Sequence, residues 1–198
     1  MVLFDAGDVV FRFQPERRLH ALMTATGLEP EDIHARLWES GFSSDCDRGA
    51  CPTAPAMCAA IRQRLGHELS DAELSRIWSL AFEPDPEVLA IAARLRARGL
   101  GTGLLTNNSS LVHAALERHH TQAIARLDPL LFSYQLGTTK PDPALWPAVA
   151  KALAHRPGQL LLVDDTLRNV EGAVAAGLHA VQFTGPAELA DVLAPPDP

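Results

Sequence analysis

Five short apolar runs, three of which stop abruptly at an acid or a hydroxyl, constrain this chain more than any other feature. Val2-Leu3-Phe4 ends at Asp5, Gly103-Leu104-Leu105 at Thr106, and Leu160-Leu161-Leu162-Val163 at Asp164. Leu130-Leu131-Phe132 and Ala180-Val181-Gln182-Phe183 complete the set. Continuous apolar runs of this length suit strands buried on both faces. Between the later runs the period becomes helical. Val88, Ile91, Ala92 and Leu95 recur at i, i+3, i+4, i+7, as do Trp146, Val149, Ala150 and Leu153, and then Val170, Ala173, Val174 and Gly177. Pro143 suits a first helical turn, and Gly99 and Gly177 suit helix ends. Strands alternating with helices predict an α/β fold with a doubly wound parallel sheet.

Residues 14–82 break the alternation. Their apolar positions, among them Leu19, Leu22, Ile33, Leu37, Ile61, Leu65, Leu74, Ile77 and Trp78, keep helical spacing, with breaks near 27–30, 41–55 and 66–70. The reading is a bundle of about four helices inserted after the first strand, with 1–13 and 83–198 forming the sheet domain. Ser70-Asp71-Ala72-Glu73 has the form of a capping box opening the last of these helices. The tail 195–198 is expected to fray.

Composition narrows the function classes. Apolar residues make up 47% and charged residues 21%, enough for a packed core. The net charge of −7, with no basic stripe, argues against a nucleic-acid partner. No run is long enough to span a membrane. Asp5 and Asp8 interrupt the apolar start, so no signal peptide is expected. Three cysteines (Cys46, Cys51, Cys58), an odd number in one short stretch, point to a reducing cytoplasm rather than a disulfide framework. Their spacing matches no common zinc pattern. His119-His120 lies on a polar segment and is expected to be solvated. Either a monomer or a dimer is compatible with these features.

In an open parallel sheet, ligands bind beyond the carboxyl ends of the strands. The residues ending the apolar runs are therefore candidates: Asp5, Thr106 with Asn107 and Asn108, and Asp164 with Asp165, joined by Lys140 from the loop 137–143. Converging carboxylates repel unless a cation sits among them, and Mg²⁺ suits an all-oxygen site. The ion and Lys140 would hold a phosphoryl group, which Asp5 could attack. The Thr106 hydroxyl and nearby N–H groups would bind its oxygens. Plainer roles stay open: Asp5 as a turn residue, Thr106 or Asp164-Asp165 as helix caps, Lys140 as a solvated loop charge and Arg168 as a surface residue.

These residues also carry a resemblance. Phe4-Asp5-Ala6-Gly7-Asp8-Val9-Val10, Leu104-Leu105-Thr106-Asn107, Lys140-Pro141-Asp142-Pro143 and Val163-Asp164-Asp165 with Asn169 resemble, in order, the four motifs of the haloacid dehalogenase-like (HAD) hydrolase superfamily. The resemblance implies a Rossmann-like core with a helical cap inserted after the first motif. It implies an Mg²⁺-dependent phosphatase of a small phosphorylated metabolite, with Asp5 as nucleophile. The metal would be held by Asp5, the Gly7 carbonyl and Asp165, with Asp164 in or near the shell. Asp5, Lys140 and Thr106 would be catalytic, and Thr106, Asn107 and Lys140 would bind substrate.

One position departs from the pattern. Phosphatases of this superfamily usually carry a second Asp two residues after the nucleophile as general acid, and here that residue is Gly7. Asp8 follows it. A carboxylate displaced by one place tends to face the other way, unless Gly7 lets the segment bend so that Asp8 reaches in. Loss of a general acid costs about 10²–10⁴-fold in rate, which favours a substrate with a good leaving group or a weak or idle ligand-binding descendant. A dehalogenase is a lesser alternative, since it would not need the Asp164-Asp165 pair. The loop 41–51, with Phe42, Asp45 and Arg48, is the candidate for reading the leaving group.

Overall fold

A computed structural model describes residues 1–194; the expectation for the tail 195–198 lies outside the described residues. The chain opens on β1 (Val2–Phe4), turns into β2 (Phe11–Phe13) and runs through α1 (Pro15–Thr26), α2 (Pro30–His34), α3 (Phe42–Asp47), α4 (Ala54–Leu65) and α5 (Asp71–Ser79). It returns on β3 (Phe82–Pro84). There follow α6 (Pro86–Ala97), β4 (Thr102–Thr106), α7 (Ser110–His119), α8 (Thr121–Ile124), β5 (Leu130–Phe132) and α9 (Ser133–Leu136). The chain ends with α10 (Leu145–Leu153), β6 (Leu161–Asp164), α11 (Leu167–Ala175), β7 (His179–Gln182) and α12 (Pro186–Val192).

Each of the five apolar runs overlaps a strand of one parallel sheet, in the order β5-β4-β1-β6-β7. Alternation of side chains sends successive residues to opposite faces. Leu3, Leu105 and Leu162 join a core with Trp146, Val149 and Ala173 from α10 and α11. Phe4, Leu104 and Val163 join a core with Leu22, Ile61, Leu74 and Trp78 from the inserted helices. The insertion therefore shares apolar packing with one face of the sheet. At Gly103 a Cβ would stand 2.8 Å from the Pro129 carbonyl oxygen, so only glycine lets the chain beside β5 approach β4 so closely.

The sequence reading missed the antiparallel ribbon of β2 and β3, which pairs Phe11 with Pro84 and Phe13 with Phe82 at the root of the insertion. The Ser70 capping box is present: Ser70 Oγ accepts the Glu73 N–H, and the Glu73 carboxylate accepts the Ser70 N–H. Residues 42–47 form a helix rather than an open loop, and Phe42 is buried beneath the Arg64 guanidinium. Of the His119-His120 pair, His119 is exposed as expected, whereas His120 is half-buried. His119 Nε2 lies 3.3 Å from Ser75 Oγ and His120 Nε2 lies 3.1 Å from the Ser79 carbonyl oxygen, docking α7 on α5. The three cysteines are free and buried.

Candidate active site

Strand register assembles the site. Phe4 is level with Leu104 on one side and with Val163 on the other. One residue further, Asp5 and Asp164 stand side by side at the carboxyl ends of adjacent strands, and Thr106 ends the strand on the other flank. Ligand oxygens of Asp5, Asp164 and Asp165 all lie within 4.8 Å of one another.

Lys140 reaches this cluster from its loop and is 3% exposed. Its Nζ lies 2.9 Å from Asp5 Oδ1, donates to Asp164 Oδ2 at 2.5 Å, and donates to the Leu105 carbonyl at 3.0 Å. Asn107 clasps the Lys140 main chain in both directions, its Nδ2 donating to the Lys140 carbonyl at 2.8 Å and its Oδ1 accepting the Lys140 N–H at 2.7 Å. Helix α11 presses on the same loop, since a Cβ at Gly172 would lie 3.0 Å from Pro141 Cβ and 3.1 Å from its carbonyl oxygen.

Asp164 is fully buried and well satisfied. Besides Lys140 it accepts the Thr166 N–H at 3.0 Å and Asn169 Nδ2 at 2.9 Å. Burial alone would lower the Lys140 pKa, but Asp5 and Asp164 hold the ammonium charged and push it up. Burial pushes Asp5 up, and the Asp164 charge adds to it, while Lys140 opposes both. Asp165 is raised by burial and by Asp164, with a smaller push from Asp8. Three carboxylates against one ammonium leave about two negative charges for an incoming cation to neutralise. Every donor is a hard oxygen, which suits Mg²⁺.

The remaining predicted residues fall as follows. Thr106 is buried, and its hydroxyl accepts Asn108 Nδ2 at 2.7 Å. The Asn108 N–H is already spent on Ser133 Oγ at 3.0 Å. Gly7 lines a cleft of about 270 Å³ together with Asp5, Thr106, Asn107 and Lys140. Asp8 is exposed and adopts a left-handed backbone with φ 55°. Its Oδ1 accepts the Phe13 N–H at 3.0 Å, which closes the turn between β1 and β2. Aspartate is among the few side chains that tolerate this conformation.

The same cleft is lined by Phe13, Phe82 and Arg168, none of which the sequence reading placed there. The two rings stand at the two ends of the insertion, but the ribbon that carries them was not recognised. From the segment 41–51, the Asp47 carbonyl accepts Ser133 Oγ at 2.6 Å.

A sequence profile described as haloacid dehalogenase-like hydrolase matches residues 2–177. The chain belongs to that family. This HAD-like hydrolase is 33% identical over 184 residues to a phosphatase of Mycobacterium tuberculosis, an alignment covering 90% of the chain and 84% of that protein. It is 35% identical over 103 residues to a phosphoserine phosphatase of Thermus thermophilus, covering 48% of the chain and 39% of that enzyme. In fold it resembles a HAD family enzyme of Bacteroides thetaiotaomicron solved in complex with magnesium and inorganic phosphate. The TM-score is 0.78 at 17% identity, over 98% of each chain. Membership of that family makes this chain a hydrolase. No helix among the described residues is long and apolar enough to cross a membrane.

Proposed function

We propose that this hydrolase is an Mg²⁺-dependent phosphomonoesterase of a small phosphorylated metabolite, with Asp5 as nucleophile and residues 14–82 as a cap over the cleft. The observation that carries the reading is the buried Lys140 bridging Asp5 and Asp164 within a three-carboxylate cluster. Asp5, Asp165 and the Gly7 carbonyl would hold the ion, with Asp164 beside them, and the bound ion would neutralise charge on the phosphoryl group. An Asp5 oxygen attacks phosphorus, the ester P–O bond breaks, and the leaving oxygen takes a proton. Water then hydrolyses the aspartyl phosphate and frees Asp5. Lys140 and the Thr106 hydroxyl bind the phosphoryl oxygens, while Asn107 fixes Lys140 rather than touching substrate with its side chain. Asp164 orients Lys140. The three buried thiols fit the reducing cytoplasm.

Gly7 places no carboxyl beside the leaving oxygen, and Asp8 is engaged with the Phe13 main chain. Substrates whose leaving group needs little protonation are therefore favoured. The test is turnover of a panel of phosphate esters with and without EDTA. Phosphate release should require the divalent ion and vanish in Asp5→Asn; activity surviving in that variant removes Asp5 as nucleophile.

The Gly7 position also supports a second reading, a protein that binds phosphorylated ligands and turns them over poorly. A Cβ at Gly7 would meet Phe13 only at ordinary contact distances of 3.7 and 3.8 Å, so Gly7→Asp is compatible with the local packing. A rise in turnover in Gly7→Asp marks a site lacking only its acid.

A further inference from the structure

Arg18 projects from α1 into the interior and is 7% exposed. Its guanidinium carbon lies 5.5 Å from the ring centre of Phe13, 5.4 Å from that of Trp78 and 6.0 Å from that of Phe82. Its Nε is enclosed and has no hydrogen-bond partner. No ion pair within 4.0 Å neutralises it among the described residues, although the charge of Asp47 acts on it from farther off. Burial draws its pKa down only to about 10, so it remains a cation at neutral pH.

A buried guanidinium without an acceptor is costly unless something supplies one. Stacking on aromatic faces recovers part of that cost but leaves the enclosed Nε–H without an acceptor. Two of the three rings, Phe13 and Phe82, line the cleft that holds Asp5 and Lys140. A molecule whose phosphoryl group lies on Asp5 would extend its other end toward those rings, and so toward Arg18.

We propose that Arg18 is the subsite for a carboxylate on the leaving group, so that the preferred substrate is a small phosphorylated carboxylic acid. The inference rests on the phosphatase reading for the phosphoryl end of the molecule. A planar carboxylate matches the guanidinium fork, and as a monoanion it is easier to desolvate than a second phosphate. The chain's net charge of −7 and the nearby Asp47 also oppose a second dianion.

The experiment compares 2-phosphoglycolate with ethyl phosphate, which differ in the carboxylate, and includes ethylene glycol bisphosphate as the dianionic competitor. The native protein should favour the carboxylate by about 10- to 100-fold in kcat/KM, the range of a charge-assisted hydrogen-bonded pair, chiefly through KM. Arg18→Met should bring the ratio close to one, and Arg18→Lys should retain part of it. A native ratio near one, a preference for the bisphosphate, or a ratio unchanged in Arg18→Met overturns the proposal. Calorimetric binding of the same three compounds to the native protein and to Arg18→Met separates this from the phosphatase reading. Carboxylate-dependent binding that needs Arg18 sustains the subsite even if no ester is hydrolysed, and its absence refutes the subsite even if esters are hydrolysed.

Discussion

Lys140 Nζ lies 2.9 Å from Asp5 Oδ1 and also donates to Asp164 Oδ2, so one ammonium ties together carboxylates from adjacent strands. Replacing it strands two acids side by side, one of them fully buried. Lys140→Met should therefore lose about 3–5 kcal/mol of unfolding free energy at neutral pH, the usual cost of removing one partner of a buried pair. Urea denaturation without divalent ions measures it. Added Mg²⁺ should return part of the loss by supplying the missing positive charge. A variant as stable as the native protein, and indifferent to Mg²⁺, would show that Lys140 does not hold the cluster together.

Asp8 Oδ1 accepts the Phe13 N–H from a left-handed backbone position. Asparagine can satisfy both demands. Asp8→Asn should keep the fold, and its turnover should fall far less than the roughly 10²–10⁴-fold expected on removing a general acid. Asp8→Ala should lose about 1–3 kcal/mol, from the missing hydrogen bond and the positive φ. Thermal unfolding and steady-state kinetics on the two variants separate the roles; a collapse of kcat in Asp8→Asn would restore Asp8 as proton donor.

That residue also shows where reading the sequence stops. The strands were legible because a strand buried on both faces needs an unbroken apolar run, and Leu160-Leu161-Leu162-Val163 is one. The acids ending such runs were legible for the same reason, since the sheet carries their side chains to one edge. Asp8 was not, because its direction depends on a φ of 55° rather than on alternation. The ribbon of β2 and β3 was not legible either. Each strand has three residues, and the register between Phe13 and Phe82 is a contact across the whole insertion. Nothing in the sequence singles out Arg18; only packing places it among three rings.

Asp47 carries a pH signature. Burial raises its carboxyl from an ordinary 3.8 to about 7, against the opposing charges of Arg18 and Arg48. Between those two values the folded protein holds a proton that the unfolded chain has released. Its contribution to stability therefore falls as pH climbs from about 4 to about 7, and is level above that. Three pKa units correspond to a total on the order of 4 kcal/mol. Asp47→Asn should remove this slope, so the gap between variant and native stability should widen in the variant's favour as pH rises from 4 to 7. Parallel stability curves for the two proteins across that range would exclude a buried, proton-binding Asp47.

Two glycines separate stability from catalysis. At Gly103 a Cβ would stand 2.8 Å from the Pro129 carbonyl oxygen and 3.2 Å from Leu3 Cδ2, in the middle of the sheet and away from the cleft. At Gly172 the conflict is with Pro141, the residue that follows Lys140, at 3.0 and 3.1 Å. Gly103→Ala forces main chain apart and should cost about 1–3 kcal/mol, as overpacking does. Gly172→Ala meets a looser contact, so its loss of stability should be smaller. It pushes on the loop that aims the ammonium, however, and small displacements of a catalytic group are expensive: a 1 Å shift can cost about 10²-fold in rate. Denaturation midpoints should thus rank Gly103→Ala as the more damaging change, and kcat measured well below either midpoint should rank Gly172→Ala so. If the two measurements rank the variants identically, the packing of α11 on the Pro141 loop does not set the position of Lys140.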